Sequence, residues 1–93
     1  MPTFMTIHRS PGLSPEEIAA NGPLVAESEY ATFRHLYVDL YAGCLVSIYQ
    51  ATDKDALEQE FERVGFPWDE IHEVHVDLDD AALRAAVAQA SQP

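Results

Sequence analysis

An α+β fold built on a four-stranded antiparallel sheet is predicted by three observations. Four short segments, 3–9, 31–39, 44–50 and 70–77, alternate with the two-residue period of a β-strand. Stretches with helix caps and helical spacing separate the first segment from the second and the third from the fourth. Leu40-Tyr41-Ala42-Gly43, between the second and third, reads as a hairpin turn. The order is β-α-β-β-α-β with a further C-terminal helix. A ferredoxin-like sheet with both helices on one face meets that order most economically.

Each element has a local cause. The first strand, Thr3 to Arg9, stops at Ser10-Pro11-Gly12. Ser14 caps the helix that follows, Pro15 suits its first position, and Glu17 completes a capping box. Asn21-Gly22-Pro23 either ends that helix near Ala20, with a short second piece from Pro23, or kinks it. Ala31 to Asp39 and Cys44 to Gln50 are rich in β-branched and aromatic residues. Thr52 or Asp53 caps the second helix, whose apolar side is Leu57, Phe61 and Val64, and Gly65 and Pro67 stop it. After the fourth strand, Asp77 or Asp79 caps a last helix with Leu83, Ala86, Val87 and Ala90 on its apolar side. Residues 1–90 are read as one domain and 91–93 as a disordered tail.

Alternation sorts the strand residues into two faces. One carries Phe4, Thr6 and His8; Phe33, His35, Tyr37 and Asp39; Leu45, Ser47 and Tyr49; and Ile71, Glu73 and His75. The other carries Met5, Ile7, Leu36, Val38, Val46, Ile48, Val74 and Val76. The aliphatic face suits a core, and the histidine- and tyrosine-bearing face suits a site. A bare face with so many aromatic residues calls for cover, most simply a second copy of the chain.

Composition narrows the function. Five basic residues stand against sixteen acidic ones, a net charge of −11, which repels phosphate backbones and anionic lipid. Neither nucleic acid nor a membrane is expected as a partner. No apolar run approaches the roughly 20 residues needed to span a bilayer, and Met1 to Ser10 has no signal-peptide pattern. Cys44 is the single cysteine, so no intrachain disulfide forms, and the expected location is the cytoplasm.

The segments MPTFMTIHR, GLSPEEI, FRHLYVD, AGCLVSIYQATDKDAL and GFPWDEIHEV occur in that order. In this the chain resembles the DUF4242 group, a small bacterial family that includes nickel-binding ferredoxin-like proteins. The resemblance covers about residues 1–76. It implies a ferredoxin-like fold, a homodimer and, in some members, a transition metal such as nickel. His8 matches the histidine of the family's first strand. The chain departs from the family at Ser47, where a cysteine is frequent, and at Phe66, where a histidine is frequent between Gly65 and Pro67. Asn21-Gly22-Pro23 stands where the first helix of the family carries a histidine. These departures shift weight from a metal toward an organic ligand.

His8 is therefore the leading candidate, as a metal ligand or as a general acid–base group. Glu73 and His75, two residues apart, form a candidate catalytic pair. Phe4, Thr6, Phe33, His35, Tyr37, Ser47, Tyr49 and Trp68 are candidate ligand-contacting residues. Asp53, Asp55, Glu58, Glu60 and Glu62 read as a solvated helix surface. The expected protein is a small dimer holding a transition metal or a small organic ligand on its open sheet face. The alternatives are an isomerase- or cyclase-type enzyme using histidine acid–base chemistry in the same place, and a face that serves only to join two copies.

Overall fold

A computed structural model describes residues 1–90. The tail expected at 91–93 lies outside the described residues. The elements are β1 (Thr3–Arg9), α1 (Pro15–Ala26), β2 (Thr32–Asp39), β3 (Cys44–Gln50), α2 (Lys54–Val64), β4 (Glu70–Val74) and α3 (Asp80–Ala90). The four strands form one sheet in the order β2-β3-β1-β4, and each neighbouring pair is antiparallel. This small α+β arrangement is compatible with the ferredoxin-like fold. β4 ends at Val74, so His75 and Val76 lie beyond it.

Each helix has a side-chain cap at its start, although the Glu17 carboxylate does not return to the Ser14 N–H to complete the expected capping box. Ser14 accepts the Glu17 N–H, Asp53 accepts the Ala56 N–H, and Asp79 accepts the Ala82 N–H. Gly65 closes α2 at φ 70°, with the Phe66 N–H returning to the Phe61 carbonyl. At the hairpin, Asp39 Oδ1 accepts the Tyr41 and Ala42 N–H groups. Gly43 has φ 66°, and a Cβ there would lie 2.7 Å from the Pro11 backbone, so only glycine fits. The Asn21-Gly22-Pro23 segment neither ends nor splits the first helix, since α1 is continuous from Pro15 to Ala26.

The faces of the sheet are the reverse of the sequence expectation. Phe4, Thr6, His8, Leu45, Ser47 and Tyr49 are buried. Met5, Ile7, Val46 and Ile48 are only half-buried and point to the other face. The core joins Phe4 and Tyr49 to Leu57 and Phe61 of α2, with Phe33, Phe66, Trp68 and Ile71 packed around them. The aromatic row wins the covered side because its larger surfaces gain more from burial than the aliphatic row does.

β2 departs from simple alternation as well. Phe33 lies opposite Tyr49 while His35 lies opposite Ile48, so Arg34 is an extra residue in the ladder. The bulge returns Leu36 and Val38 to the covered side, opposite Ser47 and Leu45. It sends His35, Tyr37 and Asp39 to the bare side, away from Phe33.

Candidate functional site

His8 sits near the end of β1 on the covered face, 1% exposed. Its Nδ1 lies 2.8 Å from the Pro67 carbonyl oxygen, which can only accept, so Nδ1 carries the proton. Nε2 is then the acceptor, and it takes the Thr6 hydroxyl at 2.7 Å. Thr6 Oγ1 in turn contacts Ser47 Oγ, which lies 3.4 Å from Nε2. Thr6 and Ser47 are direct cross-strand partners, so the sheet itself sets this chain of hydroxyls. Phe66 stacks on the imidazole with centroids 3.8 Å apart, and Phe61 meets it edge-on. Burial lowers the His8 pKa below 6.5, against smaller opposing effects of the Pro67 carbonyl and Asp69. His8 is thus a neutral imidazole with both nitrogens engaged.

Beside this network lies a cavity between α1 and the sheet. It has two lobes, of about 200 and 170 Å³, that share Ile18, Val25, Leu36 and Phe66. The inner lobe is floored by Phe33, Ser47 and Tyr49. The outer lobe reaches Ser10, Leu13, Glu17, Asn21 and Leu45. An apolar cavity of about 150 Å³ is enough for a benzene-sized guest, so each lobe suits one ring or a short chain. Burial also pushes the Tyr49 hydroxyl up to about 12, helped by the charge of Glu60.

Glu60 corrects the expectation of a wholly solvated acidic surface on α2. It is fully buried and accepts the Tyr30 N–H at 2.8 Å. Arg63 pairs with it and also reaches Glu27 and the Leu24 carbonyl at the end of α1. Burial alone would raise the Glu60 pKa, but the hydrogen bonds from Arg63 and the backbone outweigh that and lower it. The signal was present in sequence: Glu60 falls on the Leu57–Phe61 stripe and has Arg63 three residues on.

Of the other candidates, Thr6 and Ser47 bond to His8. Phe4 and Tyr49 share its covered face but are cross-strand partners at the far end of β1. Trp68 packs on Phe61 at 5.6 Å between centroids. His35 and Tyr37 occupy the bare face. Glu73 lies opposite Phe4, at the far end of β1 from His8. Four residues at about 3.3 Å each separate those positions by ~13 Å. His75 pairs with Glu73 at 3.4 Å, and both are largely exposed. Ile18, Val25 and Leu36 also line the cavity and carry no sign of it in the sequence, because nothing local marks which helix leaves space beneath it.

Fold and site together define a small α+β protein with a buried histidine–hydroxyl network under its helices. Residues 4–74 match the family model described as "Nickel responsive protein SCO4226-like", and the chain belongs to that family. The crystal structure of SCO4226 from Streptomyces coelicolor A3(2) shares the fold, with a TM-score of 0.73. That match is 24% identical and covers 82% of this chain and 99% of the other. No curated protein matches.

Nickel, which the family's description names, does not fit the His8 network. Transition metals of this kind favour several imidazole, thiolate or carboxylate donors. Here the partners of Nε2 are two hydroxyls, and a phenyl ring covers the imidazole. Among the described residues no three His, Cys, Asp or Glu side chains gather into a group able to hold a metal ion. Likewise, no helix among them is long and apolar enough to cross a membrane.

Proposed function

We propose that this chain is a small binding protein whose ligand is an organic molecule held between α1 and the sheet. One observation carries the reading: a two-lobed, mostly apolar cavity opens beneath a helix that buries none of its own residues. Such a helix is able to move aside without breaking the core. Ser47 gives the inner lobe a polar point, and its contacts with Thr6 and His8 behind the lining keep that hydroxyl satisfied when the cavity is empty. Binding is favoured over catalysis because His8 and the Glu73/His75 pair stand at opposite ends of β1. The location proposed is the cytoplasm.

The bare face supports a homodimer as the second part of this reading. Met5, Ile7, Val46 and Ile48 form its apolar centre, and Tyr37 stands 61% exposed beside them. Closing two such sheets on each other removes this patch from water. Nickel enters only through ligands contributed by more than one copy. Each chain brings His72 with Glu70 at 3.0 Å and His75 with Glu73 to its β4 edge.

The test uses tag-free protein, the neutral dye N-phenylnaphthylamine and calorimetric titration with Ni²⁺. Saturable dye fluorescence that Val25→Trp abolishes is the expected result. Dye fluorescence that survives Val25→Trp, or no dye binding beside tight, stoichiometric Ni²⁺ binding, contradicts the proposal. Light scattering should give a dimer mass that Ile48→Asp reduces to a monomer's.

A further inference from the structure

The two lobes differ in polarity, and the difference selects the ligand's head group. The inner lobe offers only the Ser47 hydroxyl and the Tyr49 ring among apolar side chains. The outer lobe carries one charged residue, Glu17, with Asn21 one helical turn later. The chain has five basic residues, Arg9, Arg34, Lys54, Arg63 and Arg84, and none lines either lobe. Arg63 is committed to Glu60, Glu27 and Glu29.

Backbone donors are committed too. The Ser10 N–H goes to Gly43, the Leu13 N–H to Ser10, the Glu17 N–H to Ser14, and the Phe66 N–H to Phe61. The positive end of α1 is already met by Glu16 and Glu17. An anionic head would therefore lose its water and find no cation in return. The Asn21 amide nitrogen donates one N–H to the Glu17 carbonyl, which leaves its oxygen and a second N–H, and these, like the Ser10 hydroxyl, are neutral groups that do not select a charge. The Glu17 carboxylate is the one charge of the lobe, and it favours a positive head group over a negative one.

Resting on the cavity reading above, we infer that the ligand is a cationic amphiphile, an amine on an apolar body of one ring or a short chain. Glu17 is its specificity-determining residue. The body fills the space between Leu36, Val25 and Phe66, and the ammonium group meets the Glu17 carboxylate at the mouth.

The experiment displaces bound N-phenylnaphthylamine with octylamine, octanol and octanoate, which differ only in the head group. Wild type should prefer octylamine to octanoate by about tenfold or more at physiological ionic strength. Glu17→Gln should collapse that preference to about threefold or less, and Glu17→Lys should reverse it. Dye that fails to bind wild type defeats the cavity reading itself. Dye that binds and is displaced equally well by octanoate leaves the cavity standing and overturns the amine assignment. An undiminished amine preference in Glu17→Gln traces the selectivity to the overall charge of −11 and overturns the role of Glu17.

Discussion

Two helices cover the same face of the sheet, and they do so differently. α2 seats Leu57, Glu60 and Phe61 at full burial, and Phe61 touches the rings of His8, Tyr49, Phe66 and Trp68. α1 seats no residue at full burial and has a proline at position 23. It is held at its ends, by the Ser14 cap and by Arg63 reaching the Leu24 carbonyl and Glu27. One helix completes the core, and the other roofs a cavity. A small domain has little stability to spare, so concentrating it under α2 leaves α1 free to admit a guest.

The largest expected effect tests that division directly. Phe61→Ala should cost about 3–5 kcal/mol, because a fully buried ring leaves a cavity the core cannot collapse into. Val25→Ala should cost under about 1 kcal/mol, because its surroundings are already partly empty. Urea unfolding of both variants measures the contrast. Equal losses would mean that α1 is as firmly packed as α2.

A smaller effect concerns the buried network beside the cavity. Burial holds the His8 pKa below its ordinary value of 6.5. As pH falls below about 6.5 the unfolded chain takes up a proton before the folded one does. His8 therefore contributes stability that is full above that pH and is lost on the way down to its folded pKa. Glu60, whose pKa is lowered from 4.5, acts in a separate and more acidic window. The melting temperature of wild type should fall as the pH drops below about 6.5, and His8→Gln should flatten that slope. A slope unchanged by the substitution would place the titrating group elsewhere.

The order of elements was legible because its signals are local. Ser14, Asp53 and Asp79 cap the helices, Gly65 ends α2, and Gly43 closes the hairpin. The identity of the covered face was not. Both rows of β1 and β3 carry apolar residues, and polar Thr6, His8 and Ser47 make one row look like a surface. They are comfortable inside because they bond to one another across strands and to Pro67 from a distant loop. That is a non-local fact that periodicity does not contain. The bulge at Arg34 was hidden for a similar reason, since a run that alternates gives no sign of an extra residue in its ladder. His8 itself was found, but for a site facing outward. The structure puts it beneath the helices, at the edge of a cavity whose roof residues look like ordinary helix surface in sequence.

The account rests on ligand entering beneath α1 and not lying on the bare face. Methyl-resolved NMR of the protein titrated with N-phenylnaphthylamine observes both places at once. Ile18, Val25 and Leu36 report on the cavity, and Met5, Ile7, Val46 and Ile48 report on the bare sheet face. The account predicts saturable shifts in the first group, with the second group still. Shifts confined to Met5, Ile7, Val46 and Ile48 would contradict it.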